Sequence, residues 1–213
     1  MSAPVEAVAH GAPATTQQPR DRRYRTAKAI TEVLAPTVVL AAGYIAVTAA
    51  TAQTIAHGLL WGLVAVLLGS VLPFLFILIA VRRGRISDHH VRVRGQRHIP
   101  LLVGLGCLVA GLGLLVVLHA PRPLIALFGL VIATLLPTMA VTVWWQISAH
   151  AAVAALVATF LVALWGPWLL LTAAGVAAVG WSRVALNAHT TAQVLAGTAL
   201  GSSFGALAWL VLG

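Results

Sequence analysis

Carboxylates are scarce in this chain: Glu6, Asp21, Glu32 and Asp88 are the full set among 213 residues. Hard divalent cations need several oxygen ligands close together, so a two-magnesium phosphoryl-transfer site or a pair of Asp-rich diphosphate motifs has too few donors here. Only Asp88 lies near a plausible site, where it can pair an arginine. No metal and no cofactor are expected. The single cysteine, Cys107, sits in an apolar run, which excludes a disulfide framework and a thiolate metal site and leaves a packing role. Charge of either sign is rare, at 8% of residues, while 61% are hydrophobic. With a mean hydropathy of +1.00, the chain belongs in a bilayer.

The balance of charge is positive, a net +9. The arginines stand in short connectors beside apolar runs and do not cover a soluble basic surface, so anionic lipid, not nucleic acid, is the expected partner. Residues 1–30 form an Ala/Pro/Thr/Gln-rich and then basic tail, expected to be disordered, ahead of one transmembrane domain over 31–213. The first apolar run is long for a cleaved signal and is read as a retained helix. Spanning helices are predicted at 31–52, 59–81, 100–119, 124–145, 150–165, 167–183 and 189–212, about six to seven in all because two are short. Trp61, Trp144, Trp145, Trp165, Trp168 and Trp181 fall near their ends, as interfacial anchors would. With the N-terminus in the cytoplasm, every Lys and Arg except Arg122 lies inside. Gly197, Gly201 and Gly205 give the last span a small-residue face, and Gly104, Gly106, Gly111 and Gly113 read as packing positions because no strand or lysine makes them a nucleotide loop.

Three polar clusters interrupt the apolar pattern, at 85–97, 146–150 and 182–193. Two predicted spans separate each from the next, so all three share one membrane face. The third contains Ser182-Arg183, five residues, His189, three residues, Gln193; the second contains Ser148-Ala149-His150. In these motifs the chain resembles the type-2 phosphatidic acid phosphatase superfamily, the lipid phosphatases related to vanadium haloperoxidases. Its third motif is similar to that of dolichyl diphosphate phosphatases, where Gln stands for Asp. The second motif has Ile147 and Ala149 where the family has Pro and Gly, and the first has no clean Lys-to-Arg-Pro copy: Arg85 to Arg92 and His90 to Arg97 both give its spacing.

The resemblance implies an all-α, polytopic bundle with a phosphatidic acid phosphatase-like core in a bacterial plasma membrane, and the Lys and Arg distribution puts its site on the cytoplasmic side. The resemblance also implies metal-independent hydrolysis of a membrane lipid phosphate, a polyprenyl (di)phosphate foremost, through a phosphohistidine. The residues suit that chemistry. Arginine forks and helix amino-terminal amides stabilise a transferring phosphoryl group, and Arg94, Arg97, Arg183, Ser148 and Ser182 are the candidate phosphate ligands. His189 would attack phosphorus and His150 protonate the leaving oxygen. Gln193, four residues after His189 at a helix start, would accept from the imidazole and fix its tautomer. His10, His57, His98 and His119 are read as structural. The rival function is a non-catalytic lipid-phosphate binder or translocator with a degenerate pocket.

Overall fold

Repeated apolar runs in a chain poor in charge leave the backbone no solvent for its polar groups inside a bilayer, so each run must satisfy them within a helix. The computed structural model describes residues 22–85 and 98–213, and among the described residues the regular structure is all helical, without a strand. Helices α1 (Arg22–Val33) and α2 (Pro36–Thr51) meet at a 43° bend. Extended Ala35 and Pro36 at the first turn of α2 start a new helix there, because proline has no N–H to continue the old one. Helix α3 (Ile55–Val66) runs through a π turn (Leu67–Val71) into α4 (Leu72–Arg82) as one 28-residue rod. The wide turn accommodates Pro73, whose ring would otherwise press on the carbonyl one turn back.

Then follow α5 (His98–Val117), α6 (Arg122–Thr142), α7 (Ala149–Trp165), a 3-10 turn (Pro167–Leu171) leading into α8 (Thr172–Ala185), and α9 (Thr191–Ala206) with a terminal α10 (Ala208–Leu212). Five helical rods among the described residues are long and apolar enough to cross a membrane, and six if the bent α1–α2 pair makes one crossing. Helix α7, at 17 residues, is shorter. The protein is therefore an all-helical bundle with about five to six candidate spans, close to the expected six to seven.

Expectations for the tail and for one tryptophan change. Residues 22–30, expected to be disordered, form most of α1. Arg and Lys are good helix formers, and Ala27 and Thr31 are fully buried on a helix that packs along α8. Trp61, expected as an interfacial anchor, is buried and donates its indole N–H to the carbonyl of Leu118 at 3.1 Å. Trp144, Trp145, Trp168 and Trp181 are exposed, as anchors require.

The interior is built around α7. Ala151, Ala152, Ala154, Ala155, Leu156, Val157 and Phe160 are buried on several sides of it, and its most extensive partner is α9. The contact depends on glycine. A Cβ at Gly197 would lie 2.5 Å from the carbonyl oxygen of Ser148, one at Gly205 would lie 2.7 Å from that of Leu156, and one at Gly201 would overlap that of Ala152. The matched steps of four show the two helices running parallel, backbone against backbone. Of the earlier glycines, Gly111 is tightly packed, with a notional Cβ 2.8 Å from Phe128, whereas Gly104, Gly106 and Gly113 face open space and are not packing positions.

Gly201→Val should therefore cost roughly 1–3 kcal/mol or more by overpacking and lower the unfolding midpoint measured in detergent. Gly129→Ala, at a helical position with nothing within 4 Å, should hold or slightly raise it.

Candidate functional site

The parallel register of α7 and α9 sets their amino ends side by side. Ser148 caps α7, accepting from the N–H of Ala151 at 3.4 Å. Its own N–H donates to the carbonyl of Gln193 at 3.2 Å, joining the two helix starts. Thr190 caps α9 in a capping box: its hydroxyl accepts from the N–H of Gln193 at 3.3 Å, and the Gln193 carboxamide oxygen accepts from the N–H of Thr190 at 3.0 Å. Two positive helix ends thus converge at one place, an arrangement that favours an anion.

Helix α8 delivers the cation. It ends in a Schellman turn in which Asn187 takes φ +50°, its N–H donating to the carbonyl of Val184 at 2.9 Å and the N–H of Ala188 to that of Arg183 at 3.0 Å. The N–H of His189 donates to the same Arg183 carbonyl at 3.2 Å. The left-handed residue folds the chain back, so that His189 returns beside the turn that carries Arg183. Both side chains are buried, Arg183 at 3% exposure and His189 at 9%.

His150, Arg183 and His189 line one cavity of about 510 Å³, together with Glu32 from the end of α1. These four residues stand at helix ends. The rest of the wall is mostly aliphatic and aromatic, including Leu40, Phe74, Leu108, Val131, Leu135 and Leu156. Thr134, Thr138 and Thr142 add a row of hydroxyls on α6, each donating to the carbonyl four residues back at 2.6–2.8 Å. The row flanks Pro137, whose missing N–H interrupts the helix's own ladder. A buried guanidinium, two imidazoles and two helix starts can hold an anionic group at one end while the apolar wall holds a hydrocarbon chain. Among the described residues no three His, Cys, Asp or Glu side chains converge as a metal would need.

The structure thus unites His189, His150 and Arg183. It gives three other candidates different work. Ser148 is fully buried as a helix cap, and Ser182 is fully buried with its hydroxyl donating to the Val179 carbonyl at 2.7 Å and 2.9 Å from that of Thr31; neither lines the cavity. The Gln193 carboxamide oxygen, expected at the His189 ring, is engaged by the backbone N–H of Thr190, an adjacent donor that needs no tertiary contact to meet it. Arg94 and Arg97 lie outside the described residues, as do Asp88 and Arg92. Arg85 is exposed beyond the end of α4. Two contributors were missed. Asn187 had a local signal, since Asn is among the few residues that accept the left-handed turn ending a helix. Glu32 had none, because only the packing of α1 on α8 brings it to the cavity.

Comparison with protein-family models, with curated proteins and with solved structures found no match to this chain.

Asn187→Gly should preserve the turn, whereas Asn187→Val should strain it by roughly 1–2 kcal/mol and displace His189; thermal unfolding of both variants measures the difference. Gln193→Leu should lower stability by about 1 kcal/mol through the lost cap, with Gln193→Glu retaining most of it in the same assay.

Proposed function

We propose that this protein hydrolyses a phosphate ester or diphosphate on a membrane lipid, a polyprenyl (di)phosphate foremost, without a metal ion. The observation that carries the reading is the single cavity in which Arg183, His150 and His189 meet an otherwise apolar wall. The lipid chain lies along that wall, and its phosphate lies against Arg183 and the amino ends of α7 and α9. An imidazole nitrogen of His189 attacks phosphorus, forming a P–N bond as the P–O bond to the lipid breaks. His150 as imidazolium gives its proton to the departing oxygen. Water then attacks the phosphohistidine, His150 takes a proton from it, and inorganic phosphate leaves. Electrostatic stabilisation of the transferring group falls to Arg183, and by sequence position to Arg94 and Arg97. The motif resemblance to the type-2 phosphatidic acid phosphatases supports the same chemistry, and the arginine distribution supports a cytoplasmic site.

A second reading is a lipid-phosphate binder or translocator that keeps this pocket without turnover. It is favoured by one feature: the Gln193 carboxamide oxygen caps α9, where a carboxylate on the imidazole would promote phosphoryl transfer.

Purified protein in detergent or nanodiscs should release phosphate from a lipid phosphate in the presence of EDTA, and vanadate should inhibit it. His189→Ala should reduce release to background while the folded protein persists. A strict need for magnesium, or near-normal release by that variant, overturns the mechanism. Binding without release by the wild-type protein decides for the second reading.

A further inference from the structure

We infer that Glu32 is a specificity-determining residue whose carboxylate, at the rim of the cavity, selects lipid headgroups carrying one phosphate over diphosphates. The inference rests on the lipid-phosphate reading above and narrows it. Glu32 is the only Asp or Glu among the described residues, and it lines the same cavity as Arg183, His150 and His189.

Its position is built into the fold. The hydroxyls of Thr31 and Ser182 lie 2.9 Å apart and both residues are fully buried. Each is the chain neighbour of a cavity residue: Thr31 precedes Glu32 and Ser182 precedes Arg183. The bond therefore clamps the last turn of α1 against the last turn of α8 and holds a negative side chain at the rim of a site whose other charged groups are cationic or can become so.

Among the described residues the local counter-charge is weak. Lys28 Nζ stands 3.9 Å from the Glu32 carboxylate, at the outer limit of an ion pair, and both side chains are at least half exposed. Such a pair is loosely held, so Lys28 does not tie the carboxylate down and the side chain stays available to the cavity it lines.

A carboxylate cannot anchor phosphate; it can only weigh how much negative charge accompanies it. A single phosphate is held by Arg183 and the two helix starts against modest repulsion. A diphosphate brings additional negative charge into the same partly desolvated space and meets more repulsion from Glu32. The residue thus acts on binding and discriminates by headgroup charge, with no contact to the lipid chain.

The test compares a polyprenyl monophosphate and diphosphate of equal chain length in nanodiscs. The wild-type protein should favour the monophosphate in kcat/KM, and Glu32→Gln should narrow that preference by roughly tenfold, mainly through KM for the diphosphate. Glu32→Asp should keep the wild-type preference. The same ratio, read as Kd in a His189→Ala background with and without Glu32→Gln, follows selection without turnover. If wild-type protein releases phosphate from neither lipid but the Kd ratio still moves with Glu32→Gln, hydrolysis is lost and the filter stands. A Kd ratio that Glu32→Gln leaves unchanged, or binding of neither lipid, overturns the filter.

Discussion

The carbonyl-to-glycine contact between α7 and α9 is the constraint from which the rest of the site follows. Gly197, Gly201 and Gly205 let α9 lie against the carbonyls of Ser148, Ala152 and Leu156. Because the helices are parallel, that contact forces their amino ends to the same level, where the Ser148 N–H reaches the Gln193 carbonyl. In a bilayer, where apolar side chains gain little by leaving lipid for one another, close backbone approach is a principal source of helix affinity. Scaffold stability and the anion-attracting end of the cavity therefore come from one contact. Helix α8, placed between them in sequence, adds Arg183 from its last turn and returns His189 through Asn187.

A second contact completes the rim. The bend at Ala35 and Pro36 frees α1 from the line of α2, and the buried Thr31–Ser182 pair fastens it to α8. Ser148 and Ser182 thus work on the backbone and on helix docking. Positioning of this kind matters to chemistry as much as direct contact, since a reacting group that wanders loses rate steeply.

How much of this was legible in the sequence depends on the range of the interaction concerned. Hydropathy over about 20 residues suffices to find a span, so the helical bundle was readable, with ends displaced by a few residues. The start of α1 was not, because its polar composition matches a tail and only its burial against α8 makes Ala27 and Thr31 core residues. Gly104 and Gly111 look alike in sequence, yet only Gly111 meets a neighbouring ring. Motif spacing brought His150, Arg183 and His189 to one cavity, but spacing cannot say which acceptor a donor chooses. The Thr190-x-x-Gln193 pattern is itself a capping-box signature, and the short-range bond prevailed over the longer reach to an imidazole.

Helix α7 has a consequence for depth. Its 17 residues extend about 25 Å at 1.5 Å each, some 5 Å less than the hydrocarbon thickness of an ordinary bilayer. A central helix that short cannot bring both ends level with the surrounding phosphates. If the recess falls on the side of His150, a lipid phosphate of the kind proposed would reach the site by sinking its headgroup below the plane of its neighbours and shedding water as it descends. The toll of that descent falls on the polar end of the molecule, while the hydrocarbon tail merely exchanges one oily surrounding for another.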